Sequence, residues 1–275
     1  MGWTVLEKMK YAKDPHKGTE DSEIFVGNRC YAVLDGHTNF PGQLINGMTH
    51  GQYVVQAGLR AFERYENGDP LELVRSLTAH VGNEWRKTGQ PWERRPGFVF
   101  VAFIPERNLI VRVGDCQYFI DGDNDPKRNA GLMVDRVKSE VRANMLIQLL
   151  KTHTVNDLIE NDLTRQIMAE MKKWQHTYRN NRDSTFGYGV IDGTTVPTLH
   201  IEYDYLKVVP KLVVLTSDGY PPRVVRETLE ETEFELAELL KRDPLCYREW
   251  IAVRGIGNGL TRPDDCTYLS LSPNR

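Results

Sequence analysis

The chain has 275 residues, 40% of them hydrophobic, enough for a sizeable core, and its 35 basic and 38 acidic side chains leave a net charge of −3 with no basic face and no acidic tail. That balance argues against nucleic acid as a partner, and no stretch approaches the roughly 18 uninterrupted apolar residues of a membrane span. The opening MGWTVLEKMKYAKDPHKGTE lacks the apolar run of a signal peptide, and Leu6 stands where a myristoylation motif needs Ser or Thr. Cys30, Cys116, Cys246 and Cys266 are scattered without metal-ligand spacing, so they read as free thiols in a reduced cytoplasm.

In chain order, β-branched and aromatic runs bounded by Gly, Asp, Asn or Pro predict strands at Glu23–Gly27, Cys30–Leu34, Phe98–Ile104, Leu109–Gly114 and Gln117–Ile120. A later group follows at Gly187–Ile191, Thr198–Tyr205, Lys211–Thr216 and Thr267–Leu271. Apolar residues at three- and four-residue spacing predict helices over Gly42–Tyr65 and Pro70–Arg86, then over Leu132–Leu150, Asn156–His176 and Arg223–Lys241. Strands grouped with helix pairs, without one-to-one alternation, predict an α+β fold: two antiparallel sheets packed as a sandwich and flanked on both sides by antiparallel helices, four layers in all. The Pro/Gly-rich stretches are loop-length, so residues 1–275 read as one domain with a helical block at about 132–176.

Carboxylates recur where apolar strands end: Asp35 in YAVLDGH, Asp115 in VRVGDCQ, Asp218 in LVVLTSDG, and Asp264 and Asp265 in RPDDCTYL. A strand is a rigid mount and a following Gly permits a sharp turn, so such residues can converge on one face. Convergent carboxylates repel one another unless cations lie among them, and all-oxygen ligands without Cys select Mg²⁺ or Mn²⁺ over zinc. Two such ions can clamp a phosphate and activate a water, which is phosphoester hydrolysis without a covalent enzyme intermediate. Any single Asp-Gly after a strand is most often just a turn, and Asp121-Gly122 and Asp192-Gly193 are assigned to turns.

TEDS (Thr19–Ser22), YAVLDGHTN (Tyr31–Asn39), VRVGDCQ (Val111–Gln117), VVLTSDG (Val213–Gly219) and PDDCTYLSL (Pro263–Leu271) together resemble, in order, the motifs of metal-dependent serine/threonine protein phosphatases of type 2C. The resemblance implies Mg²⁺- or Mn²⁺-dependent hydrolysis of phosphoserine or phosphothreonine in a protein substrate, one with a dedicated kinase. It implies that Asp35 bridges two metals, that the Gly36 carbonyl completes the first metal's shell, and that Glu20, Asp218 and Asp264 hold the second. Asp21 would act through a water, His37 would be the general acid, and Asp115 would belong to a third, loosely held metal.

The sequence departs from the family's pattern in places. Where members carry a phosphate-gripping Arg this chain has His16, with Lys17 and Lys13 nearby as weaker sources of charge; a partner Asp for the third metal is replaced by Pro222. Thr38-Asn39 replaces a double glycine, and a helical stretch takes the place of the usual hairpin. The charges of that stretch (Asp135, Arg136, Lys138, Glu140, Arg142, Lys172, Lys173) predict a solvated face, and RGIGNG (Arg254–Gly259) a loop that directs Asp264. Two further functions therefore stand beside the phosphoprotein phosphatase: a catalytically weak binding or regulatory module, and a phosphatase for a small phosphorylated metabolite.

Overall fold

The computed structural model describes residues 2–16, 21–37, 44–66, 69–123 and 131–274, without the side chain of Lys172. Strands β2 (Ser22–Val26), β3 (Tyr31–His37), β4 (Gly97–Ile104), β5 (Leu109–Val113) and β7 (Ile201–Tyr205) form one sheet, ordered β2-β3-β4-β5-β7. Strands β1 (Trp3–Tyr11), β6 (Gln117–Ile120), β8 (Val213–Thr216) and β9 (Cys266–Pro273) form the other, ordered β1-β9-β8-β6. Every pairing is antiparallel.

Alternation along β3 shows how the layers are made. Tyr31 and Val33 point between the sheets, where they join Val101, Phe103, Val213, Leu215 and Leu269 in one core. Ala32 and Leu34 point the other way, into a second core with α1 (His50–Glu63) and α2 (Pro70–Lys87). The outer face of the four-stranded sheet is covered by α6 (Leu229–Arg242), whose Leu236, Leu239 and Leu240 meet Phe119, Val214 and Tyr268. Helix, sheet, sheet and helix are thus stacked as the sequence predicts, and strands buried on both faces account for its unbroken apolar runs.

Strand β1 escapes the sequence pattern. Trp3 and Val5 face the inter-sheet core, but a register shift between Val5 and Glu7 reverses the alternation, so Tyr11 packs on the α6 side. The bulge aims Glu7 at α6, where its carboxylate accepts the Leu229 N–H at 2.9 Å. Leu6 and Met9 are left exposed on this charged edge strand. The predicted strand Gly187–Ile191 is instead irregular backbone, whose β-bridges among the described residues are the isolated Arg179↔Tyr188 and Phe98↔Ile191.

Helix α1 starts at His50 rather than Gly42, because Thr49 caps it and Gln52 returns a side-chain bond to the cap. Ahead of it, Ile45 and Met48 pair across an Asn46-Gly47 turn. The helical block resolves into α3 (Met133–Leu149), α4 (Val155–Glu160) and α5 (Arg165–Gln175). Its charges are only partly solvated, which corrects the sequence expectation. Lys138 is buried and donates to Asp135 Oδ1 at 2.5 Å and Gln175 Oε1 at 2.8 Å, and buried Arg142 donates to the Leu245 carbonyl at 2.7 Å. Arg136, Glu140 and Lys173 do face solvent. Within the core on the helix side of the five-stranded sheet, Phe100 is fully buried, its ring 5.5 Å from that of Phe62. Phe100→Ala should therefore cost about 3–5 kcal/mol in urea unfolding, and a loss under about 1 kcal/mol would contradict this packing.

Candidate functional site

The C-terminal ends of β3 and β8, the turn between β5 and β6, and the start of β9 lie at one end of the sandwich, and each carries an aspartate. Asp35 is the fifth residue of β3, opposite Ser22 and Val99, and its carboxyl hydrogen-bonds that of Asp218. Gly36 follows because nothing larger fits: a Cβ there would lie 2.8 Å from the Asp21 carbonyl, the Gly51 carbonyl and Val55 Cγ2. Its N–H donates to the Asp21 carbonyl at 2.8 Å, which ties the start of β2 to the end of β3.

Asp218 is brought beside Asp264 by a second close approach. A Cβ on Gly219 would lie 2.0 Å from the Asp265 carbonyl, so only glycine lets these two backbones meet. Ser217 N–H donates to the Thr267 carbonyl at 3.1 Å, Thr267 N–H donates to Ser217 Oγ at 3.0 Å, and the Cys266 thiol donates to the Gly219 carbonyl at 3.2 Å. All four cysteines are free and buried.

The charges at this end are poorly matched. Burial, followed by the charges of Asp218, Asp264 and Asp115, pushes the Asp35 carboxyl well above the usual range. Burial, then Asp218 and Asp135, does the same to Asp115. Asp218 opens to solvent at the rim yet is closely surrounded by protein; burial and then Asp264 lift it to about 7. Asp264 goes the other way: burial would raise it, but Lys13 and Arg254 outweigh burial and hold it below the ordinary value. Lys13 Nζ lies 2.9 Å from Asp264 Oδ1 and 3.2 Å from Asp265 Oδ2, and the Lys13 N–H donates to Asp265 Oδ1 at 2.8 Å.

Four of the residues singled out by sequence lie within electrostatic reach at this end, the charges of Asp115, Asp218 and Asp264 all acting on Asp35. His37 ends β3 opposite Gly97, on Asp35's side of the strand by alternation. Asp21 engages the first turn of α1, accepting from Thr49 Oγ1 at 2.7 Å and packing against Gly51. His16 is exposed in the turn after β1, where its N–H donates to Asp14 Oδ1 at 3.0 Å. Glu20 and Lys17 lie outside the described residues, as do Thr38 and Asn39. Asp121 and Asp192 serve turns as expected: Asp121 Oδ1 accepts the N–H groups of Lys211 and Leu212, and buried Asp192 accepts from Arg95 and Thr194.

Sequence reasoning missed Asp135. It lies in the first turn of α3, bonded to Lys138 and Gln175, and its charge reaches both Asp115 and Asp218. No local feature of the sequence marks it, since the burial of Lys138 beside it appears only in the folded chain. The donor set suits a hard divalent cation, being all oxygen and in mutual repulsion. Among the described residues no three of these side chains already surround one point as an ion's shell, since Asp264 is turned to Lys13 and Asp35 to Asp218.

No family model matches the chain, and no curated protein matches it. Several solved structures are similar along almost its whole length. The catalytic domain of the serine/threonine protein phosphatase PstP, crystallised in complex with two manganese ions, is 15% identical with a TM-score of 0.49, over 98% of each chain. The serine/threonine phosphatase Stp1 of Staphylococcus aureus is 12% identical with a TM-score of 0.47, over 99% of this chain and 96% of its own. That of S. agalactiae is 14% identical with a TM-score of 0.48, over 99% of this chain and 100% of its own. At such identities and superpositions the likeness brings neither activity nor metal to this chain.

The raised carboxyls make a stability prediction whose sign follows directly. Asp218 rises from 3.8 to about 7 on folding, so its stabilising contribution is fully present below 3.8 and is lost as pH climbs through 7. With chelator present, the thermal midpoint of the wild type should fall between about pH 5 and pH 8 more than that of Asp218→Asn. Equal slopes would contradict the repulsion described.

Proposed function

We propose that this chain hydrolyses phosphomonoesters with the help of two divalent cations, Mg²⁺ or Mn²⁺, and that its substrate is phosphoserine or phosphothreonine in a protein phosphorylated by a dedicated kinase. The convergence of Asp35, Asp115, Asp218 and Asp264 from four separate stretches of chain carries this reading, because such a cluster is costly without cations. Asp35 would bridge the two ions, with the Gly36 carbonyl on one of them and Glu20, Asp218 and Asp264 on the other. Asp115 would serve a third, looser site that lacks a ligand at Pro222. When bound, such ions neutralise the carboxylates, draw in phosphate oxygens and make a water acidic enough to attack phosphorus.

The chain's own residues do the rest. Asp21 steadies the Gly36 backbone through its carbonyl and the start of α1 through its carboxylate. Lys13 fixes the loop that bears Asp264 and Asp265. His37, two residues past Asp35, is suited to protonate the departing serine or threonine oxygen, since an imidazole exchanges a proton near neutral pH. Among the described residues no helix is long and apolar enough to cross a membrane, and four buried thiols suit a reducing, cytoplasmic setting. A second reading, a catalytically weak binding module, is favoured by His16, by Pro222 and by the helical stretch in place of the family's usual hairpin.

Hydrolysis of p-nitrophenyl phosphate separates the readings. Manganese-dependent turnover is expected in the wild type, with a loss of at least about a hundredfold in Asp35→Asn and Asp218→Asn, since even outer partners of metal ligands are worth 10–100-fold. Turnover unchanged in both variants would contradict the proposal, and a folded wild type inert with every metal would favour the binding module. A phosphopeptide panel set against phosphorylated metabolites would divide protein from small-molecule substrates.

A further inference from the structure

We propose that Arg254 is the residue that grips the substrate's phosphate, an inference that rests on the phosphatase reading above. A phosphomonoester dianion approaching clustered carboxylates needs fixed positive charge on the protein as well as any bound ions, and the planar guanidinium fork matches two phosphate oxygens. The charges of Arg112, Lys13 and Arg254 act on the cluster. Arg112 is buried behind Asp115, where it donates to the Cys116 carbonyl at 3.4 Å and pairs with Glu202. Lys13 is held by two carboxylates at once, and its backbone by a third bond, so its ammonium is committed to the protein.

Arg254 differs from both. Its Nη1 lies 4.0 Å from Asp264 Oδ1, an ion pair too long to be a hydrogen bond, and its side chain is 42% exposed. It is therefore drawn to the site by charge while its N–H donors stay available to an incoming oxyanion. It stands at the head of the RGIGNG loop, just before the segment carrying Asp264, so the guanidinium and that carboxylate are presented together. Of the residues expected from sequence to hold phosphate, His16 is exposed in the turn after β1 and Lys17 lies outside the described residues.

The test is calorimetric titration of inorganic phosphate into the Mn²⁺-loaded full chain, preceded by titration of Mn²⁺ into the wild type, Arg254→Ala, Arg254→Lys and Lys13→Met. Arg254→Ala should weaken phosphate about tenfold or more while its Mn²⁺ affinity is kept or improved; Arg254→Lys should recover part of the loss, and KM for p-nitrophenyl phosphate should rise more than kcat falls. Phosphate affinity within about twofold of wild type in Mn²⁺-loaded Arg254→Ala and Arg254→Lys would overturn the inference, and so would a loss confined to Lys13→Met. A wild type that takes up no Mn²⁺ would instead overturn the phosphatase reading on which it rests.

Discussion

The repulsion among carboxylates gathered at one end of the sandwich is the constraint on which the rest depends. Nothing in the apolar cores requires Asp35, Asp115, Asp218 and Asp264 to meet, yet the backbone forces them together. Gly36 is wedged against Asp21, Gly51 and Val55, and Gly219 against the Asp265 carbonyl. The Ser217–Thr267 bonds then fix the end of β8 against the start of β9. Close backbone approaches that only glycine permits are thus used to bring like charges near one another, which is the constraint on which the proposed cation site rests.

Around that centre the charges are graded. On one side Lys13 and Arg254 depress Asp264; on the other, Asp135 adds negative charge to Asp115 and Asp218. Lys138 and Gln175 hold Asp135 in place, so α3 and α5 act on the electrostatics of the carboxylates as well as covering the sheets. This links the helical block, the most individual part of the sequence, to the chemistry proposed for the site.

Much of the fold was legible in the sequence because its strands are buried on both faces and read as unbroken apolar runs between turn residues. Strand β1 was hidden for the opposite reason: it is a charged edge, and its bulge interrupts the alternation that would have marked it. Gly187–Ile191 has strand-like composition, but its backbone bonds go to Tyr178, Asn180 and Phe98 rather than to a ladder. The site was legible where an aspartate ends an apolar run, as at Asp35 and Asp218. It was illegible where partners come from distant irregular segments, since nothing local to Lys13, Asp135 or Arg254 indicates which carboxylate each will face. The burial of Lys138 and Arg142 escaped notice likewise, because their acceptors, Gln175 and the Leu245 carbonyl, lie far along the chain.

The function proposed above requires this acidic end to hold a pair of divalent ions. Calorimetric titration of Mn²⁺ into the metal-free protein near neutral pH tests it most directly: two sites per chain are predicted, with protons released as the raised carboxyls ionise. Absence of any Mn²⁺ or Mg²⁺ binding by the folded protein would contradict the account.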